Sequence, residues 1–240
     1  MISPEFSRSA ILYGGDAQKK MESATVAVCG VGAVGSFALE ALARIGVGSF
    51  VLADADTVDV SNINRQLCAL HSTIGKSKTA VMRERVRDIN PNARVEIVDR
   101  FIDESNCAEF VGLCPDVIVD AIDSLAPKAA LAAAALSEGV PIVSSMGAAR
   151  KTDPLKVAVA ELFKTHSCPM AARMRKELRA RGFKKGQPCV FSTEIPEAAS
   201  HVKSGAADAK KIIGSTPIVT GTFGLVLANL ALAQILNLKR

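Results

Sequence analysis

The stretch ATVAVCGVGAVG, residues 24–35, decides the fold. Residues 24–29 are a short apolar run bounded by charge before and glycine after, which is the pattern of a buried strand. Gly30, Gly32 and Gly35 then form a G-x-G-x-x-G turn, and SFALEALARIG carries apolar residues at helical spacing as far as Gly46. A strand, a glycine turn and a helix in that order give the glycines a purpose. They allow a tight turn and let the backbone approach a phosphate at a helix N-terminus. SFVLAD (49–54) reads as the second strand, and its last residue, Asp54, stands where a ribose hydroxyl acceptor belongs. To this point NAD and ATP fit equally well.

Working outward, Lys76–Ile89 has helical amphipathic spacing and ends at Asn90-Pro91. ARVEIVD (93–99), DVIVDAID (116–123) and VPIVSSM (140–146) read as strands, with DESNCAEFVG (103–112) and APKAALAAAALSEG (126–139) as helices between them. This βαβ alternation predicts an α/β fold, a Rossmann-like doubly wound and mostly parallel sheet with helices on both faces. After Gly147 the alternation stops. An antiparallel strand at Val157–Ala160, a basic helix over 168–182 and a second short strand at Val190–Ser192 follow. Residues 196–211 read as a mobile loop, and the chain closes on an apolar helix. The organisation expected is a nucleotide-binding region over 1–149, with a basic α+β extension over 150–240 packed on the same domain and carrying substrate and dimer contacts.

With 49% apolar residues in 240, the chain is not a disordered one. Its net charge of +5 is unevenly spread. Residues 1–149 hold 13 Lys and Arg against 18 Asp and Glu, a net of −5, whereas residues 150–240 hold 16 against 6, a net of +10. The six cysteines include no C-x-x-C pair, so neither a zinc knuckle nor a thioredoxin-type motif is present. Reduced thiols, and an N-terminus without the long apolar run of a signal peptide, predict a cytoplasmic protein. Residues 217–238 carry no charge and are long enough to span a bilayer, which makes membrane association the alternative. The polar Thr220, Thr222, Asn229, Gln234 and Asn237 within them favour a core or interface helix, since in lipid each would need a partner.

The stretches beyond the second strand separate ATP from NAD. Ser61-Asn-Ile-Asn-Arg-Gln66 and Gly75-Lys-Ser-Lys78 supply cations and amides, and Asp120-Ala-Ile-Asp123 ends the fourth strand with two acids. Cations neutralise charge developing on phosphates and a carboxylate holds Mg²⁺, so this set suits phosphoryl chemistry, whereas hydride transfer has no use for it.

GVGAVG, DADTVDVSNINRQ, GKSK and DAIDS together resemble the ThiF/MoeB superfamily, adenylating enzymes related to ubiquitin-activating enzyme, over about residues 5–147. The resemblance implies transfer of AMP from ATP to a carboxylate, with ATP and Mg²⁺ required. It implies that Gly30, Gly32 and Gly35 cradle the nucleotide, that Asp54 accepts from the ribose, and that Asn62, Arg65 and Lys78 contact the phosphates. Asp123 would be the Mg²⁺ ligand, and Arg8, in FSRSAILYG, would reach the ATP of a second subunit, making a homodimer the active unit. Three further segments, residues 151–182, CVFSTE (189–194) and TGTFGLVLANLAL (220–232), are similar to the tRNA threonylcarbamoyladenosine dehydratase branch. That branch implies adenylation of a threonine carboxylate on tRNA followed by intramolecular ring closure. The alternative within the superfamily activates the C-terminal glycine of a ubiquitin-like sulfur-carrier protein, and its members usually carry the C-x-x-C zinc site missing here. A sulfur-transfer protein is a further partner to test.

A tRNA substrate gives the basic half a use. Arg173, Arg175, Lys176, Arg179, Arg181, Lys184 and Lys185 fall within thirteen residues. Arg173, Lys176, Arg179, Lys184 and Lys185 are the candidate tRNA contacts, with the 203–211 lysines adding charge of the same sign. Few aromatics and no Trp argue for contact with the RNA backbone rather than stacking on bases. Cys189, within CVFSTE, is a candidate acceptor or redox thiol, and His71 a candidate for lining the site. From a different class, an NAD(P)-binding oxidoreductase or a nucleotide-sensing module would not depend on Arg65 and Lys78.

Overall fold

The chain is seen in a computed structural model that describes residues 3–195 and 213–238. Its strands are β1 (Thr25–Cys29), β2 (Ser49–Ala53), β3 (Arg94–Val98), β4 (Val117–Asp120), β5 (Ile142–Ser145), β6 (Val157–Glu161) and β7 (Pro188–Ser192). They form one sheet in the order β3-β2-β1-β4-β5-β7-β6, parallel throughout except for the antiparallel pair β6–β7. The strand order reverses beside β1, which lies between β2 and β4. A crevice therefore opens at the C-terminal ends of β1 and β4, the usual place for a ligand in an open parallel sheet.

The central strands read as unbroken apolar runs because both faces of the sheet are covered. Val26 and Val28 of β1 face a layer made by α3 (Gly35–Arg44), α4 (Lys78–Ile89) and α8 (Pro217–Leu236). Ala27 and Cys29 face the opposite layer, α5 (Cys107–Val111), α6 (Leu125–Glu138) and α7 (Pro169–Ala180). Full burial of the large side chains Phe50, Phe110 and Phe223 is worth about 1.5–3 kcal/mol each. Phe223 is thus core, in the middle of α8. Alanine-rich α6 stops at Gly139, whose φ of 69° closes the helix in the left-handed conformation.

Several boundaries differ from expectation for visible reasons. α4 starts at Lys78 rather than residue 76, because the Ser77 hydroxyl accepts the N–H of Ala80 and caps it there. α5 covers only Cys107–Val111 of the longer expected helix. Two N-terminal helices, α1 (Ser7–Tyr13) and α2 (Gly15–Ser23), have no counterpart in the elements expected from the sequence. α1 buries none of its residues, so it carries no apolar period to detect. The expected loop at 196–211 lies outside the described residues.

The helix long enough to span a membrane instead covers one face of the sheet. α8 buries Val219, Phe223, Leu227, Leu230 and Ala231 against that face and α3. Its outward face mixes Thr222 and Asn229 with Ile218 and Leu225. Insertion into lipid would strip this layer from the sheet.

Candidate active site

The glycine turn follows β1 directly. Gly30 has a φ of 83°, and a side chain there would meet the carbonyl oxygen of Ala121 at 2.9 Å. A side chain at Gly35 would overlap the carbonyl oxygen of Gly30, so only glycine lets α3 begin this close to the strand. Gly32 faces outward into a cleft of about 550 Å³, a volume that suits a nucleotide-sized ligand.

Asp54, at the end of β2, fixes the turn and faces the cleft. Its Oδ2 accepts the N–H of Val31 at 2.9 Å, and its Oδ1 accepts the N–H of Asp56 at 2.9 Å. Burial pushes its carboxyl above the usual range, against the opposing pull of the Asp56 N–H, the Lys78 charge and the Val31 N–H. Each oxygen keeps a lone pair for a ligand hydroxyl.

Asn62, Arg65 and Lys78 line the same cleft. Asn62 ends a short 3-10 turn (Val60–Asn62), and its Oδ1 accepts the Asp59 N–H at 3.2 Å. Arg65 is held in its loop by donating to the Ser61 carbonyl at 2.8 Å and to Asn64 Oδ1 at 2.7 Å. Lys78 is only 5% exposed and lies in the first turn of α4, with Nζ 2.7 Å from Asp56 Oδ2. A buried ammonium beside a helix N-terminus is a strong anion site, because both attract negative charge. On the other wall Asp123 lines the cleft, directly after the fourth strand.

The second acid of that run behaves differently. Asp120, at the end of β4, is fully buried and paired with Lys128 at 2.8 Å. One carboxylate of the two therefore faces the ligand. Asp56, Gln66, Arg100 and Phe101 also line the cleft and were not singled out from the sequence. Asp56 lies within the DADTVDVSNINRQ motif, which was a usable signal. Phe101, 66% exposed, reaches the cleft only because β3 sits beside β2, and no motif marks it. His71 is exposed and does not line the cleft.

A sequence model of the ThiF family matches residues 6–240. The chain belongs to the ThiF family. It is 44% identical over 192 residues, 80% of this chain and 76% of the relative, to the tRNA threonylcarbamoyladenosine dehydratase of Bacillus subtilis. Its fold matches the crystal structure of Escherichia coli tRNA N6-threonylcarbamoyladenosine dehydratase in complex with AMP at a TM-score of 0.90. Identity there is 38%, over 99% of this chain and 97% of that one. The same E. coli enzyme in complex with ATP gives a TM-score of 0.88 and 39% identity, with the same coverage.

Beyond the cleft, this ThiF-family chain carries the basic run on α7 and the turn after it. Arg173, Lys176, Arg179, Lys184 and Lys185 are exposed. Arg179 lies 5.0 Å over the Phe163 ring, while the other four have no ion-pair partner among the described residues. Arg175 and Arg181 are occupied within the fold. Arg175 donates to the Thr165 carbonyl at 3.0 Å and to its hydroxyl, and Arg181 pairs with Glu104 at 2.9 Å. Met170, in the first turn of α7, lines the cleft, so the basic helix starts at the site itself.

Two further candidates fall outside the cleft. Cys189 is buried in β7 with its thiol donating to the Ala160 carbonyl at 3.3 Å, and burial pushes its pKa up to about 12. Burial and the Ala160 bond hold the thiol neutral and enclosed, which counts against the acceptor or redox role expected from the sequence. Arg8 is exposed on α1 and does not line the cleft of its own chain.

Proposed function

We propose that the chain uses ATP to dehydrate threonylcarbamoyladenosine in tRNA, closing it to a cyclic form. The observation that carries this reading is the likeness to dehydratases of that name through residues 150–240 as well as the nucleotide half. A threonine carboxylate is a poor electrophile, and adenylation makes it reactive. The carboxylate oxygen attacks the α-phosphorus of ATP and pyrophosphate leaves. A nucleophilic atom of the neighbouring carbamoyl group then attacks the acyl carbon and expels AMP. The net change is loss of one water from the nucleoside and conversion of ATP to AMP and pyrophosphate.

In this reading the glycine turn and the first turn of α4 bind the phosphates, Asp54 accepts from the ribose, and Asn62, Arg65 and Lys78 stabilise charge as pyrophosphate departs. Among the described residues no three acidic, His or Cys side chains gather as a metal cage. A lone carboxylate, Asp123, nonetheless fits Mg²⁺, which commonly takes one or two carboxylates together with substrate phosphates and water. Bound there, the cation would neutralise charge on the phosphates. We assign Arg8 to the cleft of a second subunit. It shares α1 with Ile11 and Leu12, which are 85% and 75% exposed and would be covered in a homodimer. The exposed cations of α7 and its following turn would hold the tRNA backbone, with the modified base at the Met170 end.

Mass spectrometry of nucleosides from cells lacking the gene tests the proposal. The cyclic nucleoside should vanish and return with the wild-type gene, but not with Arg65→Ala. Its persistence at normal levels in the deletion would overturn the reading.

A further inference from the structure

The two acids of Asp120-Ala-Ile-Asp123 stand on opposite sides of one turn. Asp123 faces the cleft, whereas the side chains of Asp120 and Lys128 are both 0% exposed. Lys128, in the second turn of α6, does more than neutralise Asp120. Its Nζ lies 2.8 Å from Asp120 Oδ2 and also donates to the Ile122 carbonyl at 2.9 Å and the Asp120 carbonyl at 3.4 Å. Asp120 Oδ1 in turn accepts the Ile122 N–H at 3.2 Å. The next peptide is tied across the sheet, with the Ala121 N–H donating to the Cys29 carbonyl at 2.8 Å. The Ala121 carbonyl is the group that a side chain at Gly30 would strike. One buried ammonium thus braces the turn that both supports the glycine loop and presents Asp123.

Burying an ion pair is costly, and well-packed apolar residues of similar volume are often at least as stabilising. Fold stability alone does not account for the pair. We propose that Lys128 is a positioning residue: it fixes the 120–123 turn and thereby sets where Asp123 stands relative to the glycine turn and the nucleotide phosphates. The role given to Asp123 rests on the adenylation reading, but the bracing of the turn rests on geometry alone.

The test is the double variant Asp120→Asn/Lys128→Met, which removes both charges with little change in volume. Lys128→Arg, which keeps the charge but not the placement of the two carbonyl contacts, serves if the double variant does not fold. Two readouts are needed besides the melting temperature. One is amide hydrogen exchange at Ala121 and Ile122, whose N–H groups are bonded to the Cys29 carbonyl and Asp120 Oδ1, compared with Val28 in β1. The other is ATP binding titrated with Mg²⁺. The proposal expects faster exchange at Ala121 and Ile122 and no change at Val28. It also expects a Mg²⁺ half-saturation raised about 10- to 100-fold, the usual scale for losing an outer-shell partner. Metal-free ATP affinity, which depends on the turn only through its support of the glycine loop, should change less than the Mg²⁺ half-saturation. A lower melting temperature with unaltered exchange and Mg²⁺ half-saturation would overturn it, leaving a purely structural ion pair. If Mg²⁺ does not tighten ATP binding to the wild type, the role given to Asp123 falls, and the exchange rates alone decide the bracing of the turn.

Discussion

Lys78 Nζ lies 2.7 Å from Asp56 Oδ2, an almost buried ammonium held at the cleft by a half-exposed carboxylate. Lys78 sits in the first turn of α4, where free backbone N–H groups already favour an anion. In the proposed reading this is a phosphate contact kept in place by its own carboxylate. Lys78→Met should lower AMP formation about 100- to 1,000-fold, the scale for removing one transition-state charge contact. The melting temperature should change little, since Asp56 remains solvated. Pyrophosphate release measures the rate, and a variant that keeps its rate removes Lys78 from the mechanism.

Asp54 supplies a pH dependence. Its folded pKa is raised by burial, so it takes up a proton above the ordinary carboxylate value of about 3.9. In the proposed reading, protonation removes acceptor capacity at the ribose, and it slackens the hold on the Val31 N–H. ATP affinity should therefore be complete above the raised pKa and decline as the pH falls through it. The same titration of Asp54→Asn should be flatter, because that side chain does not ionise. Identical curves for the two proteins would show that Asp54 does not govern binding.

The doubly wound sheet was legible because strands covered on both faces must be largely apolar, as in TVAVC and VIVD. That Arg65 and Lys78 line the cleft was legible because SNINRQ and GKSK place cations just beyond a strand end. The distinct roles of Asp120 and Asp123 were not. The two acids look alike until α6 folds back and brings Lys128 under the turn. Arg175 likewise reads as one more cation of a basic helix, and only the contact with Thr165 takes it out of the surface set. Phe101 depends on the neighbouring strand order, which no local pattern records.

The basic helix yields a prediction that separates surface from scaffold. Arg173→Glu/Lys176→Glu should weaken tRNA binding across all sequences tested. Its salt dependence should become shallower by roughly one unit for each phosphate no longer neutralised. ATP binding should be unaffected. Arg175→Ala should act differently, lowering the melting temperature because Thr165 is deprived of its hydrogen-bond donor. Nitrocellulose filter binding at several salt concentrations distinguishes them, and an unchanged slope in the charge-reversed variant would take α7 out of the tRNA interface.

Cys189 should be chemically silent. With its thiol buried and its pKa pushed up to about 12, it should resist alkylation in the folded protein. Cys189→Ala should keep its turnover, at a modest loss of stability from the small cavity left in β7. Loss of turnover without loss of folding would restore the thiol to the mechanism.

The most direct measurement gives the purified protein ATP and tRNA isolated before the cyclisation step, and follows AMP, pyrophosphate and the nucleoside together. The account predicts one AMP and one pyrophosphate for each nucleoside that loses water, and no AMP from tRNA lacking the threonylcarbamoyl group. AMP formation that ignores the tRNA and instead follows a small carrier protein ending in Gly-Gly would contradict it.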